Sequence, residues 1–316
     1  MLKSLVCGLF LTFHLVAQTL VGAGYGFPAP VSVAPGQIAT LYVAGLSSLT
    51  GITATLSQST GLTPAPIQSI QVFDKCPDLI GNFISGCGTL AGVTVQIPYE
   101  LTPVCPLCAR PVSASPPTLF ISQNGQNATA IELNPLADEV HVLTACDVAL
   151  GSPSPLTQNL TGLPCTPLVT HANGTLISAA SPANVGEALT AWVYGLGQTT
   201  PAATTGQPAK AVPAAETFNL DFNYQVNALA TKPFTGEKDR VPLTPLYAGL
   251  APGYVGLYQV NFIVPPQPPN GTPQCALSGT FAAGANVAQS NFTVSIGGQF
   301  SFDGAGICVA TQIPVD

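Results

Sequence analysis

The pair Cys105-Pro-Leu-Cys108 has the spacing of a thiol–disulfide redox motif, so it is the first candidate for chemistry in this chain. A redox cysteine of that type lies at a helix N-terminus, which lowers its pKa. Here Pro103, Pro106 and Pro111 surround the pair, and no helical pattern follows it. A zinc site would need a second pair of ligands nearby. The sequence therefore favours a structural disulfide over a redox or a metal role.

The cysteines as a set indicate a disulfide framework. Of the nine cysteines, Cys7 lies in an N-terminal apolar run, and the others form an even set. An even number behind a signal peptide is typical of an exported, cross-linked protein. The connectivity cannot be read from the sequence alone. Pairing of nearest neighbours is the simplest scheme: Cys76–Cys87, Cys105–Cys108, Cys146–Cys165 and Cys275–Cys308.

Residues for acid–base or nucleophilic catalysis are sparse. Beyond the apolar start, the histidines are His141 and His171, and no Gly-x-Ser-x-Gly motif offers a serine for a triad. Alternation in EVHVL points Val140 and Val142 inward, so we expect His141 to face solvent. The 14 acidic residues show no spacing that singles out a glycosidase pair. We predict that the protein is not an enzyme.

Three further patterns admit a functional and a plain interpretation. Asp74 and Asp78 could form a loop calcium site with the help of carbonyl oxygens. Gly195-Leu196-Gly197 has part of a dinucleotide-binding pattern, but no helix follows, so we interpret it as a strand end. We predict neither a metal nor a cofactor. Four aromatic residues could form a carbohydrate platform if exposed, although we favour a core position for Tyr42, Trp192, Tyr224 and Tyr247.

Composition and charge limit the classes of partner. Charged residues make up 7% of the chain, against about 25% in an average soluble protein, and the net charge is −7. No basic cluster is present, which argues against binding to nucleic acid or to an anionic membrane surface. The start, MLKSLVCGLFLTFHLVAQTLVGAG, predicts a signal peptide over 1–23. Cleavage after Ala23 is our first choice and after Ala17 the second, and retention as an anchor stays open.

The rest of the chain has the pattern of an all-β sandwich. Its 31 Gly and 31 Pro punctuate runs rich in Thr and Val that alternate between apolar and polar residues. Asn124-Gly125 suits the type I′ turn of a hairpin. In the strand LYQVNFIV, alternation predicts one buried face, formed by Tyr258, Val260, Phe262 and Val264.

An internal repeat predicts two similar units. VAPGQIATLYVAGL (33–46) returns as ANVGEALTAWVYGL (183–196), and GVTVQIP (92–98) returns as QVNFIVP (259–265). The low-complexity stretch at 198–216 reads as a mobile insertion in the second copy. We predict two tandem Ig-like antiparallel β-sandwiches, with a signal peptide at 1–23, a first sandwich at 24–148, a connector at 149–165 and a second sandwich at 166–316.

Three stretches together resemble a known family: 33–46, THANGTLISAASPANVGEALTAWVYGLG (170–197) and PLYAGLAPGYVGLYQVNFIVP (245–265). They are similar to the Solibacter-type C-terminal domain, an Ig-like module of secreted and surface proteins of soil acidobacteria, whose first strand is similar to the IPT/TIG immunoglobulin-like fold. The resemblance spans about residues 30–300 and implies an Ig-like fold and secretion, with no catalytic motif to transfer. The cysteines, including those in VFDKCPDLIGNFISGCGTLAG (72–92), depart from the family pattern.

These observations lead to one predicted function and one alternative. We predict a secreted or cell-surface, non-catalytic module of tandem Ig-like domains with a structural, adhesive or protein-binding role. Other surface proteins or a polysaccharide would be its partners, and no membrane span is expected after removal of the signal peptide. Edge strands could pair with a partner strand. The alternative is a carbohydrate- or matrix-binding module attached to extracellular polymer breakdown.

Overall fold

The chain folds as an all-β protein of the β-sandwich class, as the sequence predicts. A computed structural model describes residues 19–23, 30–44, 46, 48–73, 76–77, 83–84, 90–103, 116–145, 147, 166–224, 241–267, 274–280 and 286–311.

Two sheets and a small hairpin come from the strands that precede residue 136. These strands are β1 (Thr19–Ala23), β2 (Val31–Val33), β3 (Ile38–Ala44), β4 (Ile52–Gln58), β5 (Gly61–Pro64), β6 (Ile67–Phe73), β7 (Cys76–Pro77), β8 (Phe83–Ile84), β9 (Leu90–Gln96), β10 (Thr118–Gln123) and β11 (Gln126–Pro135). A 4-stranded sheet has the order β1-β3-β9-β6, and a 5-stranded sheet has the order β2-β11-β10-β4-β5. The β2–β11 pair is parallel, whereas the other neighbouring pairs in the two sheets are antiparallel.

These two sheets enclose one apolar cluster, here called the N-terminal core. Strands β3 and β9 contribute residues such as Leu41 and Val93, which are 1% and 0% exposed. Strands β4, β10 and β11 contribute Leu56, Ile121 and Ile131 from the opposite sheet. Burial of each such side chain contributes roughly 1.5–3 kcal/mol. The alternation of β-branched and polar residues in these strands thus produces a packed interior between two layers.

Two further sheets and a second hairpin come from the later strands. These are β12 (His141–Val142), β13 (Val169–His171), β14 (Ala188–Tyr194), β15 (Asn219–Asn223), β16 (Val241–Leu243), β17 (Tyr247–Leu250), β18 (Tyr258–Ile263), β19 (Ala276–Thr280), β20 (Asn286–Gln289), β21 (Phe292–Gly297) and β22 (Phe302–Ile307). One sheet has the order β12-β14-β18-β17, with β13 also paired to β14, and the other has the order β16-β15-β21-β22.

The later sheets enclose a second cluster, here called the C-terminal core. The predicted face of β18 is confirmed, because Tyr258, Val260, Phe262 and the adjacent Val264 are all buried. Phe222 of β15 lies with its ring centroid 5.5 Å from that of Phe262, so the two sheets interlock through aromatic contacts. Val140 and Val142 also belong to this core, which therefore begins before the predicted connector.

Each core is closed at one end by a turn of the same construction. Gly36 and Gly186 both have positive φ, at 77° and 80°, which L-residues other than glycine rarely adopt. The Gly36 N–H donates to the Ile97 carbonyl at 2.9 Å, and the Gly186 N–H donates to the Val264 carbonyl at 2.9 Å. The following strands pair in the same register, since Ile38 lies opposite Gln96 as Ala188 lies opposite Ile263.

The stretch at 198–216, which the sequence presents as a mobile insertion, instead connects the two halves. Thr205 Oγ1 accepts a hydrogen bond from the Tyr99 N–H at 2.9 Å and donates to Glu100 Oε2 at 2.6 Å. The Gln198 side chain donates to the Tyr99 carbonyl, and the Gly206 N–H donates to Gln96 Oε1 at 2.7 Å. These contacts define the segment that we call the bridge, residues 198–216.

The Tyr99 side chain lies at the centre of this contact. Its ring is 6% exposed and packs within the C-terminal core, although the residue follows β9 of the N-terminal sheets. The Tyr258 hydroxyl donates to the Tyr99 hydroxyl at 3.2 Å. A side chain from one half thus contributes to the interior of the other.

A disulfide bond joins Cys275 to Cys308, with Cα atoms 5.4 Å apart and a sequence separation of 33. This pair is present as the nearest-neighbour scheme expects. Closure of a loop of that length contributes about 3–4 kcal/mol on the chain-entropy model. Within the described ranges, no helix is long and apolar enough to cross a membrane.

Candidate functional site

A cleft of about 720 Å³ opens on the sheet β16-β15-β21-β22. Its volume lies within the range of about 300–1,000 Å³ that is usual for small-molecule sites. The described residues that line it come from the four strands of this sheet and from the segments that follow β16 and β21: Asn219, Leu220, Asp221, Leu243, Thr244, Ser295, Gly297, Gly298, Gln299, Phe300, Ser301 and Phe302.

The floor of the cleft follows from strand alternation. Leu220 and Phe222 belong to the C-terminal core, so the intervening Asp221 points to the opposite face of β15. Asp221 lies directly opposite Ser295 of β21, which lies opposite Gly304 of β22. A carboxylate, a hydroxyl and a glycine therefore form one row across three strands, on the face that does not pack into the core.

One wall of the cleft is a turn held by a single buried carboxylate. Asp138 is 0% exposed, and its Oδ1 accepts hydrogen bonds from the N–H groups of Gln299 at 2.8 Å and Phe300 at 3.1 Å. Its Oδ2 accepts from the Ser301 N–H at 3.0 Å and from the Ser301 hydroxyl at 2.7 Å. Three successive backbone donors and one hydroxyl thus satisfy the buried carboxyl oxygens and fix the turn at 298–301.

The segment that carries Asp138 is positioned by glycines. The Glu139 N–H donates to the Gly195 carbonyl at 2.8 Å. A Cβ atom at Gly195 or Gly197 would overlap the carbonyl oxygens of Glu139 or Ala137. Gly195 and Gly197 also have positive φ, at 79° and 77°. The dinucleotide-like pattern is therefore the end of β14, as predicted, and its glycines allow close approach of the chain at 137–139.

The prediction that His141 faces solvent is wrong. Its side chain is 13% exposed and lies between Asp147, at 3.1 Å from Nε2, and Asp303, at 2.9 Å from Nδ1. Burial lowers the pKa of His141, but the hydrogen bonds and charges of the two carboxylates outweigh it and raise that pKa to about 9. Strand alternation failed because β12 has only two residues and because Asp303 arrives from a strand far along the sequence.

Other acidic groups near the turn keep their protons more readily than usual. Burial, together with the charges of Asp138 and Asp303, raises the pKa of Glu139 to about 7. Burial and the neighbouring Asp138 also raise the pKa of Glu216, a residue at the end of the bridge. The end of the C-terminal core beside the cleft is therefore an acidic environment with one protonated histidine at neutral pH.

The other predicted site residues are not brought into the cleft. His171 contacts Glu187 Oε1 at 2.5 Å through Nδ1 and lies on a different edge of the fold. Of the aromatic residues that we assigned to the core, Tyr42 and Tyr224 are buried, whereas Trp192 and Tyr247 are half-buried. Among the described residues, no group of three or more His, Cys, Asp and Glu side chains could hold a metal ion.

Several candidate residues fall outside the described structure. The possible calcium ligands Asp74 and Asp78 do so, and their proposed loop site stays untested. The pairing of Cys76 in β7 rests on Cys87, which is not described. The same holds for the remaining predicted disulfide residues, which are Cys105, Cys108, Cys146 and Cys165.

Sequence reasoning missed the aromatic side chains of the cleft. Phe300 and Phe302 belong to the run GGQFSFDG, in which two glycines precede a Phe-x-Phe pair. That signal marks a tight turn between strands with large side chains beside it. The role of Asp138 had no local signal, because its partners lie more than 160 residues away, at a sequence separation of 161 for Gln299.

The described lining of the cleft offers groups that can contact a ligand. Among the described lining residues, Asp221 supplies a carboxylate, with amide, hydroxyl and aromatic groups around it. No protein-family model matches the chain, and no curated protein is significantly similar to it. The resemblance to the Solibacter-type domain therefore stays a prediction.

Proposed function

We propose that this protein is a secreted or cell-surface module of tandem Ig-like domains that works by binding or by structural support, without catalysis. The observation that carries the proposal is the pair of sandwiched cores joined by the bridge at 198–216. Such a connected pair presents two sets of sheet edges and loops at a fixed separation, which suits an adhesive or protein-binding role.

The matching turns support the tandem interpretation. Gly36 and Gly186 both have positive φ, and their N–H groups donate to carbonyl groups at matching positions in the two halves. The strands that follow them pair in the same register. Two unrelated domains would have no reason to share all three features. We propose that the halves are copies of one Ig-like unit.

Edge strands supply a mode of partner binding. β5 forms one edge of the 5-stranded sheet, and its Leu62 side chain is 73% exposed. β1, which ends at Ala23, forms an edge of the other sheet by pairing with β3. Cleavage of a signal peptide after Ala23 would remove β1 and leave the β3 edge open. An incoming strand of a partner protein could then pair with either edge.

The proposal is tested on intact cells of the producing organism. We expect an antibody to detect the protein on the cell surface or in the culture fluid, and added protease to remove the surface fraction without lysis. N-terminal sequencing of that protein should begin at Gly24. Detection only inside lysed cells, with Met1 retained, would contradict export and with it the proposed role.

A second candidate function is a carbohydrate- or matrix-binding module. The cleft favours it specifically, because the lining combines amide and hydroxyl groups with Phe300 and Phe302. Binding of the purified protein to insoluble polysaccharides, measured by co-sedimentation, tests this candidate independently of location. Absence of binding to every polysaccharide tested would remove it and leave the first proposal standing.

A further inference from the structure

We propose that two copies of this chain associate through β6 (Ile67–Phe73), whose open edge pairs with β6 of the second copy in antiparallel orientation. The two sheets β1-β3-β9-β6 would then form one continuous sheet around a two-fold axis. The inference goes beyond the proposed function, because it names the partner and holds whether or not the protein is exported.

β6 is a long strand edge that solvent reaches. It lies at the end of its sheet and, among the described strands, pairs with β9. Its 7 residues, IQSIQVF, include neither a charged residue nor a proline. Residues 68, 69, 71 and 72 are exposed, and Val72 is 42% exposed although Ala91, directly opposite it on β9, is buried. An edge of this kind is a template for pairing with another strand.

Two edges of the C-terminal sheets carry features that oppose such pairing. β16 has Pro242 at its centre, and a proline has no N–H to donate to an added strand. The edge of β17 is covered by the bridge, where the Leu250 N–H donates to the Val212 carbonyl at 2.8 Å. β6 has neither of these features in its described surroundings, so its edge can accept a partner strand.

Backbone directions along β9 alternate between its two neighbouring strands. The Ile97 N–H donates to the Gln37 carbonyl at 2.8 Å, on the side of β3. The Gln96 N–H donates to the Pro66 carbonyl at 2.9 Å, on the side of β6. Because this direction alternates with each residue of an antiparallel strand, even-numbered residues of β9 bond to β6 and odd-numbered residues bond to β3.

The same rule shows which residues of β6 face the open edge. Gln71 lies opposite the even-numbered Gly92, so its backbone groups bond to β9. Ile70 and Val72 are the neighbours of Gln71 in the chain, and they lie opposite odd-numbered residues of β9. Their N–H and carbonyl groups therefore point away from β9, and each of the two residues offers a donor and an acceptor to a partner strand.

The sequence of β6 is complementary to itself. In an antiparallel pair centred on Gln71, Ile70 of one copy lies opposite Val72 of the other, and the two residues exchange both backbone hydrogen bonds. Their side chains share one face of the sheet, where Ile70 already packs against the N-terminal core. The two Gln71 side chains meet on the other face. A second copy thus completes the edge with apolar contacts and without bringing like charges together.

Sedimentation velocity of the purified protein over a range of concentrations tests the inference. We expect a monomer in dilute solution and a dimer at high micromolar concentration. Residue-resolved amide hydrogen exchange should be fast at Ile70 and Val72 in the monomer and slow in the dimer, while the Gln71 amide should exchange slowly in both. A protein that stays monomeric near millimolar concentration would overturn the inference, as would slow exchange at Ile70 and Val72 in the monomer.

Charge substitution at the two-fold axis locates the contact. Gln71→Lys and Gln71→Glu each place like charges directly opposite each other, so we expect each variant to dimerise about fivefold more weakly or worse. An equal mixture of the two variants should recover the dimer, because opposite charges then face each other. Gln68→Lys adds the same charge at another exposed position of β6, away from the axis, and should dimerise as the wild type does.

Each outcome bears on a separate claim. A dimer that neither Gln71 variant weakens, or that Gln68→Lys weakens equally, would overturn the assignment to β6. Weakening by both Gln71 variants without recovery in their mixture would overturn the register centred on Gln71. Thermal melts of the variants at low concentration should match the wild type, which confirms that the fold is retained. Detection of the protein only inside lysed cells would contradict the proposed function and leave this inference standing.

Discussion

The turn at Gly36 and the turn at Gly186 have the same backbone, but their surroundings differ. Residues 34–37 are buried, and a Cβ atom at Gly36 would overlap the ring of Tyr99. At Gly186 nothing lies within 4 Å of such an atom, and the residue is exposed. The same local sequence pattern thus forms the same turn in both places. Whether the turn contributes to tertiary packing depends on which distant residues lie against it.

The polar residue that follows each turn glycine, Gln37 or Glu187, matches this difference in burial. Gln37 Oε1 accepts the Ala34 N–H at 2.7 Å, and Glu187 Oε2 accepts the Asn184 N–H at 2.9 Å. The buried copy uses a neutral carboxamide, since an ionised group at 0% exposure would lose its hydration. The exposed copy can use a carboxylate, which also contacts His171.

The largest expected effect comes from removing the side chain that covers the first turn. Tyr99→Ala should lower the free energy of unfolding by about 3–5 kcal/mol, because it deletes a buried ring and leaves a cavity between the halves. Pro266, which occupies the matching position after Val264 and Pro265, is exposed, so Pro266→Ala should change stability by less than about 0.5 kcal/mol. Urea denaturation measures both. Equal effects would mean that Tyr99 does not join the two halves.

Alkaline pH should weaken the C-terminal half, where the ionisable pairs lie. The pKa of His141 is about 9, above its ordinary value of 6.5, so the protonated form favours the folded state. This stabilisation is complete below pH 6.5 and is lost as the pH rises through about 9, and its size is roughly 2–3 kcal/mol.

Thermal melts across that pH range test the prediction. The wild type should lose stability toward high pH, whereas His141→Gln should start less stable at neutral pH and show a flatter profile. The change should appear in the C-terminal core, which hydrogen exchange of amides near Val260 can follow. A wild-type profile that is flat between neutral pH and pH 9 would contradict the raised pKa.

A smaller difference in the free energy of unfolding is expected when each turn glycine is replaced by alanine. Both variants force an L-residue to positive φ, which costs about 1–2 kcal/mol. Gly36→Ala must also displace the Tyr99 ring, so its total cost should reach about 2–4 kcal/mol, while Gly186→Ala should cost about 1–2 kcal/mol. Chemical denaturation of the two variants side by side gives the difference. An equal loss would show that the ring moves aside freely.

The smallest expected effect is a difference between Glu187 and Gln37 in how acid changes their contribution to the free energy of unfolding. Partial burial raises the pKa of Glu187, but the Asn184 N–H and the His171 ring lower it more, so this pKa lies below its ordinary value of 4.5. The stabilisation is present above that value and is lost as the pH falls through the lowered pKa. Because the side chain is partly exposed, at 22%, solvent screens its contacts, and Glu187→Gln should remove about half a kcal/mol or less, and only above pH 4.5. Gln37→Ala, in contrast, should cost the same at acidic and neutral pH.

The features that the sequence predicted well depend on neighbours in the chain. Alternation placed Tyr258 and Phe262 in the core, and Asn124-Gly125 does form the turn between β10 and β11, with φ of 51° and 76°. The Gly36 and Gly186 turns were visible as a repeated motif. In each case the pattern that fixes the structure spans fewer than about fifteen residues, within reach of periodicity arguments.

The features that the sequence did not predict depend on contacts between distant residues. The stretch at 198–216 has the simple composition of a loop. Its hydrogen bonds to Gln96, Tyr99 and Glu100 come from a backbone N–H and from single polar side chains, which leave no periodic pattern in the sequence. Nothing in the sequence distinguishes Asp138 from the other carboxylates, and its contact with the N–H of Phe300 is visible only in the structure. Periodicity reports which face of a strand is buried, but not which loop arrives to cover it.

The turn at Gly186 is exposed and leaves room for another domain to pack against it. A further domain packed against the C-terminal half would meet at Gly186 the same backbone that Tyr99 covers at Gly36. A domain packed against Gly36 would instead meet Tyr99 and the bridge, which already cover that turn. An additional domain would therefore pack more easily on the turn at Gly186 than on the turn at Gly36.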